Sequence, residues 1–145
     1  MTEAVALPKR VLCLCGSLRR VSANRAALEA ARTLAPASLR LDMYPGMGAL
    51  PLFSPDAETD PLPQGVLGLR FAVGRADALL IACPEYAHGV PGGFKNLLDW
   101  LVGALEFPDK PVLASTSYRS IQSMPVWKSA MTSCAAPNAE SDSAW

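Results

Sequence analysis

Three short runs of almost purely apolar residues mark the chain, at positions 11–15, 78–83 and 111–114. A strand that is buried on both faces has this pattern, because helices cover each side of a parallel sheet. Residues 39–43 instead alternate, as Leu-Arg-Leu-Asp-Met, which gives that strand one wet face. We therefore predict three interior strands and a fourth strand at an edge of the sheet.

Helical patterns fill the intervals between these strands. Residues 22–34 open with Ser22 as a candidate N-cap and stop before Pro36, and a weaker pattern covers 66–76. The strongest pattern spans 93–105. Its apolar face consists of Phe94, Leu97, Leu98, Leu101 and Leu105. The alternation of strands and helices predicts the α/β class with right-handed parallel crossovers.

The composition fits a single globular domain over residues 1–145, since 50% of the residues are hydrophobic and 18% are charged. Thirteen basic and 13 acidic residues give zero net charge, which argues against a nucleic-acid-binding domain. The apolar runs are far shorter than the roughly twenty residues of a membrane span. The N-terminal residue order does not fit a secretory signal. We expect a cytoplasmic protein that binds neither nucleic acid nor membrane.

Two segments lack a regular pattern. Residues 43–63 are rich in Pro and Gly and predict an irregular loop. Residues 119–145 contain no strand-like run, so we expect at most one short helix and a loose tail there.

The first candidate site follows the strand at 11–15. Gly16 allows a sharp turn, and a predicted helix N-terminus comes soon after it. The polar side chains of this segment are Ser17, Arg19, Ser22 and Asn24. Free backbone amides, the helix dipole and an arginine together make a cradle for a phosphate. The alternative is a capped helix with solvent-exposed arginines.

The second candidate site follows the strand at 78–83. Pro84 and Pro91 restrict this loop, and its glycines allow the backbone to approach a flat ligand closely. Tyr86 is placed to stack on an aromatic ring, with loop amides facing the polar edge of that ring. The alternative is an ordinary Pro/Gly connection with an exposed tyrosine.

Together the two segments resemble the NADPH-dependent FMN reductase family, a flavodoxin-like group that includes quinone, azo-dye and chromate reductases. The matching motifs are Gly16-Ser-Leu-Arg19 with Ser22 and Asn24, then Pro84-Glu-Tyr86 and the run from Pro91 to Leu101. The likeness covers about residues 9–118.

The resemblance implies a flavodoxin-like three-layer αβα sandwich with a parallel sheet of order 2-1-3-4. It implies that the FMN phosphate would be held by Ser17, Arg19, Ser22 and Asn24. The isoalloxazine ring would be lined by Pro84, Glu85, Tyr86, Ala87 and Gly89, with Ser117 in a third flavin loop.

The family's chemistry is a ping-pong transfer of two electrons from NADPH or NADH, through FMN, to a quinone or another small acceptor. Because the flavin carries this chemistry, no protein acid or base is required, and we name no catalytic side chain and no metal site. The resemblance also implies a homodimer or homotetramer.

The chain departs from the family in two places. The family usually has Asn after the Glu-Tyr pair, where this chain has Ala87. Relatives usually continue past the fourth strand with a longer loop, another helix and a fifth strand, and the residues here show no convincing fifth strand.

Three other residue types have two interpretations each. Cys13 and Cys15 point to one face of a strand and fit small core residues better than a metal or redox pair, and Cys83 ends a buried strand. His88 is the only histidine and is either a tuner of acceptor specificity or an idle exposed imidazole. Trp100 falls off the apolar stripe of its helix, so it packs either against a second subunit or beneath a neighbouring loop.

Three hypotheses follow from the sequence. The first is an FMN-dependent NAD(P)H reductase of quinone-like acceptors. The second is a flavodoxin-type electron-transfer module that holds FMN without accepting hydride from NAD(P)H. The third is a relic whose altered C-terminal segment impairs flavin binding.

Overall fold

A parallel four-stranded sheet in the order β2-β1-β3-β4 forms the centre of the computed structural model, which describes residues 7–115. Its strands are β1 (Lys9–Cys15), β2 (Leu39–Met43), β3 (Ala78–Ala82) and β4 (Val112–Ser115). The helices of this range are α1 (Ala23–Leu34), α2 (Gln64–Arg75) and α3 (Gly92–Val102). The predicted α/β class, the edge position of β2 and the strand order are confirmed.

The two faces of the sheet pack against different helices. One face, which includes Leu14 and Ile81, forms the larger core with α2 and α3. The other face, which includes Cys13, packs against Leu28 of α1. Alternate residues of β1 therefore enter opposite cores, and this explains why the strand reads as a continuous apolar run.

The helix ends follow local chemistry. Ser22 caps α1 as predicted, and its Oγ accepts a hydrogen bond from the backbone N–H of Arg25 at 3.4 Å. Helix α2 begins at Gln64, two residues before the predicted start, directly after Pro63. Helix α3 ends at Val102 with Gly103 as its C-cap, so the prediction that Leu105 belongs to its apolar face is wrong. Leu105 lies beyond the helix and is 93% exposed.

Trp100 is fully buried within this chain, so its interpretation as a subunit contact is wrong. Its indole Nε1–H donates to the backbone oxygen of Pro51 at 2.8 Å. Its ring meets Phe53 edge-on, with the ring centroids 5.0 Å apart. The alternative, packing beneath a neighbouring loop, is confirmed.

The loop at residues 43–63, which covers Trp100, is irregular, as predicted, apart from two short 3-10 turns at Met47–Ala49 and Pro55–Ala57. The expectations for residues 119–145 and for a fifth strand lie outside the described residues. No helix within residues 7–115 has the length and apolar character needed to cross a lipid bilayer.

Candidate functional site

The loops after β1 and β3 meet at the carboxyl edge of the sheet. The backbone N–H of Gly16 donates to the backbone oxygen of Ala82 at 2.8 Å. A methyl group on Gly16 would lie 2.9 Å from the Cα of Cys83, closer than non-bonded carbon atoms approach. Glycine at this position therefore lets the two candidate segments lie side by side, where open parallel sheets bind ligands.

Two serine hydroxyls at the turn after β1 already accept bonds from the backbone. Ser17 Oγ accepts from the N–H of Arg19 at 3.3 Å, and Ser22 Oγ accepts from the N–H of Arg25 at 3.4 Å. Each hydroxyl proton is left to be donated elsewhere. Within the described residues, the backbone amides of Leu18, Arg20 and Val21 donate no hydrogen bond, and the amides at the start of α1 have no helical acceptor.

The charge around this turn is positive. Arg19, Arg20 and Arg25 are exposed, and none of the three forms an ion pair with a residue in the described range. The first turn of α1 also lacks the acidic residue that often occupies this end of a helix. Donor amides, free hydroxyl protons and unpaired guanidinium groups favour a bound phosphate. Asn24, in the same first turn, is half-buried.

A third segment reaches the same edge through Leu18. The δ-carbons of Leu18 lie where side chains on Gly48 and Gly93 would otherwise project, at 3.0 Å and 3.1 Å from the respective Cβ positions. The loop after β2 and the N-terminus of α3 therefore border the turn after β1. The contacts of Leu18 were not predictable from the sequence, because an isolated leucine in a polar loop carries no periodic signal.

The turn after β3 is a miniature hairpin. The backbones of Tyr86 and Gly89 exchange two hydrogen bonds of 2.9 Å, and the residues between them, Ala87 and His88, have φ values of 49° and 58°. This combination is typical of a type I′ turn, which prefers Asn and Gly at its two central positions. Tyr86 is 49% exposed beside the turn, so part of this residue is accessible to a ligand.

His88 lies at the tip of this turn with its side chain 97% exposed. Its Nδ1 is 3.2 Å from a carboxylate oxygen of Glu85, three residues earlier. The structure therefore shows an exposed imidazole whose described contact is local, which is compatible with both sequence interpretations.

The three cysteines of the described range are free thiols. Burial, the largest cause, raises the pKa of Cys13 to about 11 and that of Cys83 to about 12. A thiol that keeps its proton is a poor nucleophile and a poor metal ligand. Within residues 7–115 no cluster of three or more His, Cys, Asp or Glu side chains could hold a metal ion. The burial of Cys13 and Cys83 agrees with their interpretation as core residues, and Cys15 is partly buried against the same core as Cys13.

The predicted site residues thus fall into two neighbouring groups. The turn after β1 and the first turn of α1 carry Ser17, Arg19, Ser22 and Asn24, and the turn after β3 carries Pro84, Glu85, Tyr86, Ala87 and Gly89. Ser117 lies outside the described residues.

The side chain that fixes the loop after β2 was not predicted from the sequence either. Asn96 of α3 accepts from the N–H of Phe53 at 2.7 Å and donates to the oxygen of Pro51 at 2.9 Å. These contacts join positions more than forty residues apart, and a single sequence holds no local signal of such a pairing.

Comparison with known proteins gives consistent results. The family model described as NADPH-dependent FMN reductase matches residues 9–138. Over 111 residues the chain is 37% identical to a quinone reductase of Escherichia coli K12, an alignment that covers 74% of this chain and 59% of the relative. It is 38% identical over 91 residues to a 2-hydroxy-1,4-benzoquinone reductase of Burkholderia sp, covering 63% of this chain and 49% of that protein.

A solved structure supports the same grouping. FerB, a flavoenzyme NAD(P)H:(acceptor) oxidoreductase from Paracoccus denitrificans, superposes with a TM-score of 0.65 at 32% identity, covering 74% of this chain and 61% of FerB. The chain therefore spans between about half and three fifths of the length of these relatives.

Proposed function

Because the chain belongs to the NADPH-dependent FMN reductase family, we propose that it is an FMN-dependent NAD(P)H oxidoreductase. The two electrons that NAD(P)H supplies would pass through FMN to quinone-like or other small acceptors. Relatives named as quinone reductases support this acceptor class.

One observation carries the proposal: Gly16 packs against Cys83 and joins a phosphate-type turn to a loop with an exposed tyrosine. The residues present fit FMN on chemical grounds. The turn after β1 offers donors and cations without acidic side chains in the first turn of α1, as a phosphate dianion requires. The turn after β3 offers a backbone hairpin and an aromatic face, as a flat ring requires.

Each group of residues then has a defined task. Ser17 and Ser22 donate their hydroxyl protons to phosphate oxygens, while Arg19 balances the phosphate charge and Asn24 adds an amide donor. Backbone groups of residues 84–89 border the ring, and Tyr86 limits water access to one of its sides. Bound FMN supplies the redox chemistry, since its ring accepts a hydride and gives up two electrons. Protein side chains position and shield the ring in this scheme, and no side chain is required to act as an acid or base.

The proposal includes a homodimer or homotetramer in the cytoplasm. Free thiols at Cys13, Cys15 and Cys83 are compatible with a reducing compartment. Sedimentation velocity on the full chain, with and without FMN, measures the oligomeric state.

The test is the visible spectrum of the full chain with FMN, before and after anaerobic NADPH. We expect a protein-bound flavin spectrum that NADPH bleaches and a quinone restores. Gly16→Ala should lose bound flavin, because the added methyl group forces the two loops apart. Gly68→Ala is the matched control, since a methyl group at that position of α2 meets no atom within 4 Å.

Other outcomes contradict the proposal in distinguishable ways. Bound flavin that resists NADPH would identify an electron-transfer module. A chain that binds no FMN at tens of micromolar, on the scale of a weak cofactor complex, would be a relic of the family.

A further inference from the structure

A groove of about 320 Å³ lies between the edge strand β2 and helix α2. Its lining includes no residue of the loops after β1 and β3, and only Tyr44 and Pro45, which directly follow β2, belong to the loop that borders the candidate flavin site. The side chains that give it chemical character are Arg10, Arg40, Asp42, Tyr44, Phe71 and Arg75.

The alternating sequence of β2 creates the floor of this groove. Leu41 is buried against the α1 side of the sheet, so Arg40 and Asp42 point to the opposite side, towards α2. Arg10 of β1 is the register partner of Arg40, so two guanidinium groups are neighbours on the same face. The polar face that the sequence pattern predicted for this edge strand therefore forms the floor of the groove.

The groove carries an excess of positive charge. The Asp42 carboxylate is shared, at 3.4 Å from a guanidinium nitrogen of Arg10 and 3.2 Å from Nε of Arg40. Arg75 forms no ion pair with any residue from 7 to 115. Arginine stays protonated in proteins, so three cations face one anion.

The Asp77 carboxylate, which contacts the backbone of Arg10, does not remove this excess. Asp77 accepts the backbone N–H of Arg10 at 2.7 Å and pairs with Lys9 at 3.5 Å, and it does not line the groove.

Aromatic rings form part of the wall. Phe71 is 64% exposed, and the guanidinium carbon of Arg75, one helical turn later, lies 5.5 Å from its ring centroid. Tyr44 is half-buried at the end of β2, with a phenol that can donate or accept a hydrogen bond. A ligand ring can stack on Phe71 or on the plane of Arg75 while the guanidinium groups bind its acidic group.

We propose that this groove binds a small aromatic anion, a single ring that carries a phosphate or a carboxylate. The anionic group occupies the space between Arg40 and Arg75, where two parallel N–H donors of a guanidinium match two oxygens. The ring lies against Phe71. The proposal is independent of the activity assigned to the flavin site.

Phenyl phosphate is the probe, titrated into the full chain by isothermal calorimetry at low ionic strength. We expect saturable binding with a Kd below about 1 mM. Arg75→Gln and Arg40→Gln should each weaken binding by about tenfold, the usual scale for a lost charge-assisted contact. Arg32→Gln is the matched control, since it removes an exposed arginine that pairs with Glu29 on α1, and it should leave the Kd unchanged.

Two further sets of measurements test the assignment. The first distinguishes binding in this groove from binding at the phosphate turn. The second distinguishes the contribution of the ligand's ring from that of its anionic group. Saturating FMN, which occupies the phosphate turn, should leave the Kd for phenyl phosphate unchanged, whereas loss of phenyl phosphate binding on adding FMN, with no loss in Arg75→Gln, would overturn the assignment. Inorganic phosphate should bind about fivefold more weakly than phenyl phosphate, and Phe71→Leu should remove that difference. Benzoate should compete with phenyl phosphate. Equal affinity for the two phosphates, or no saturation at ten millimolar, on the scale of non-specific ion binding, would refute an aromatic-anion site.

Discussion

At the scale of single residues, Ala87 is where this chain departs most clearly from its family's usual motif. The family usually has Asn after the Glu-Tyr pair, and the φ of 49° at this position explains the preference. Asn and Gly tolerate left-handed backbone, while a β-carbon on alanine raises its energy by about 1 kcal/mol or more. Ala87 preserves the backbone hairpin at a cost in stability.

Ala87→Gly should therefore stabilise the protein, by about 0.5 kcal/mol, because glycine adopts positive φ freely. The free energy of unfolding is measured by urea titration without flavin. Ala26→Gly, the same exchange inside α1, should instead destabilise by about 1 kcal/mol. Changes of the same sign in both variants would show that the backbone at residue 87 is not left-handed.

The buried thiols give stability a dependence on alkaline pH. In the unfolded chain Cys13 ionises near its ordinary pKa of 9.0, whereas burial holds its native pKa at about 11. Above pH 9 the unfolded state therefore binds fewer protons than the native state, and the free energy of unfolding falls as the pH rises towards 11. Urea titrations at pH 8, 9.5 and 10.5 should show this fall, and Cys13→Ala should make it shallower. An unchanged slope in Cys13→Ala would rule out the thiol as a cause.

At the scale of elements, α3 does more than cover the sheet. Asn96 and Trp100, one turn apart, both bind the backbone of Pro51, and Asn96 also binds the backbone of Phe53. The residues just before this segment contact Leu18 at the candidate site. Helix α3 therefore positions the loop after β2 beside the phosphate turn.

Asn96→Ala should destabilise the protein by about 1–2 kcal/mol, because it leaves the partly buried amide of Phe53 without its acceptor and removes one of the two donors to the oxygen of Pro51. Hydrogen exchange at the amide of Phe53 should become much faster, which a general loss of stability would not confine to this loop. Lys95→Ala removes an exposed pairing with Asp99 on the same helix and should change stability by less than about 0.5 kcal/mol. Unaltered exchange at Phe53 in Asn96→Ala would contradict the positioning role.

The elements themselves were predictable, and their long-range contacts were not. The continuous apolar run of β1 and the alternation of β2 each follow from how many faces of the strand are buried. Both patterns can be recognised within the short sequence of the strand itself. The prediction for Leu105 was wrong because the spacing of this residue continues the apolar face of α3, whereas the helix ends at Val102 with Gly103 as its C-cap. The burial of Trp100 depends on Pro51 and Phe53, which no periodicity links to α3. The same holds for Leu18, whose neighbours come from the loop after β2 and from the start of α3.

At the scale of the whole molecule, a ligand that binds only the native state stabilises it by mass action. The carboxyl edge of the sheet joins loops from β1, β2 and β3, so bound FMN would tie together segments that are distant in the sequence. Thermal stability should therefore report on the site without any turnover.

FMN at about one hundred times its Kd should raise the free energy of unfolding by about 2.7 kcal/mol. The shift in Tm, measured by scanning calorimetry, should be much smaller in Arg19→Gln, which removes a cation at the phosphate turn. Arg32 lies on α1 and pairs with Glu29, so Arg32→Gln should keep the full shift in Tm. An identical FMN-dependent shift in all three proteins would place the phosphate elsewhere.

The contact between Gly16 and Cys83 also restricts how this protein can evolve. A side chain at residue 16 would collide with the Cα of Cys83 as well as with its thiol. Shortening residue 83, even to glycine, removes the thiol but leaves that backbone atom in place. No second-site suppressor at residue 83 can then rescue a substitution at residue 16. Within lineages that keep β1 and β3 side by side, glycine at this position cannot be replaced by another residue, while the surrounding loop residues stay free to change.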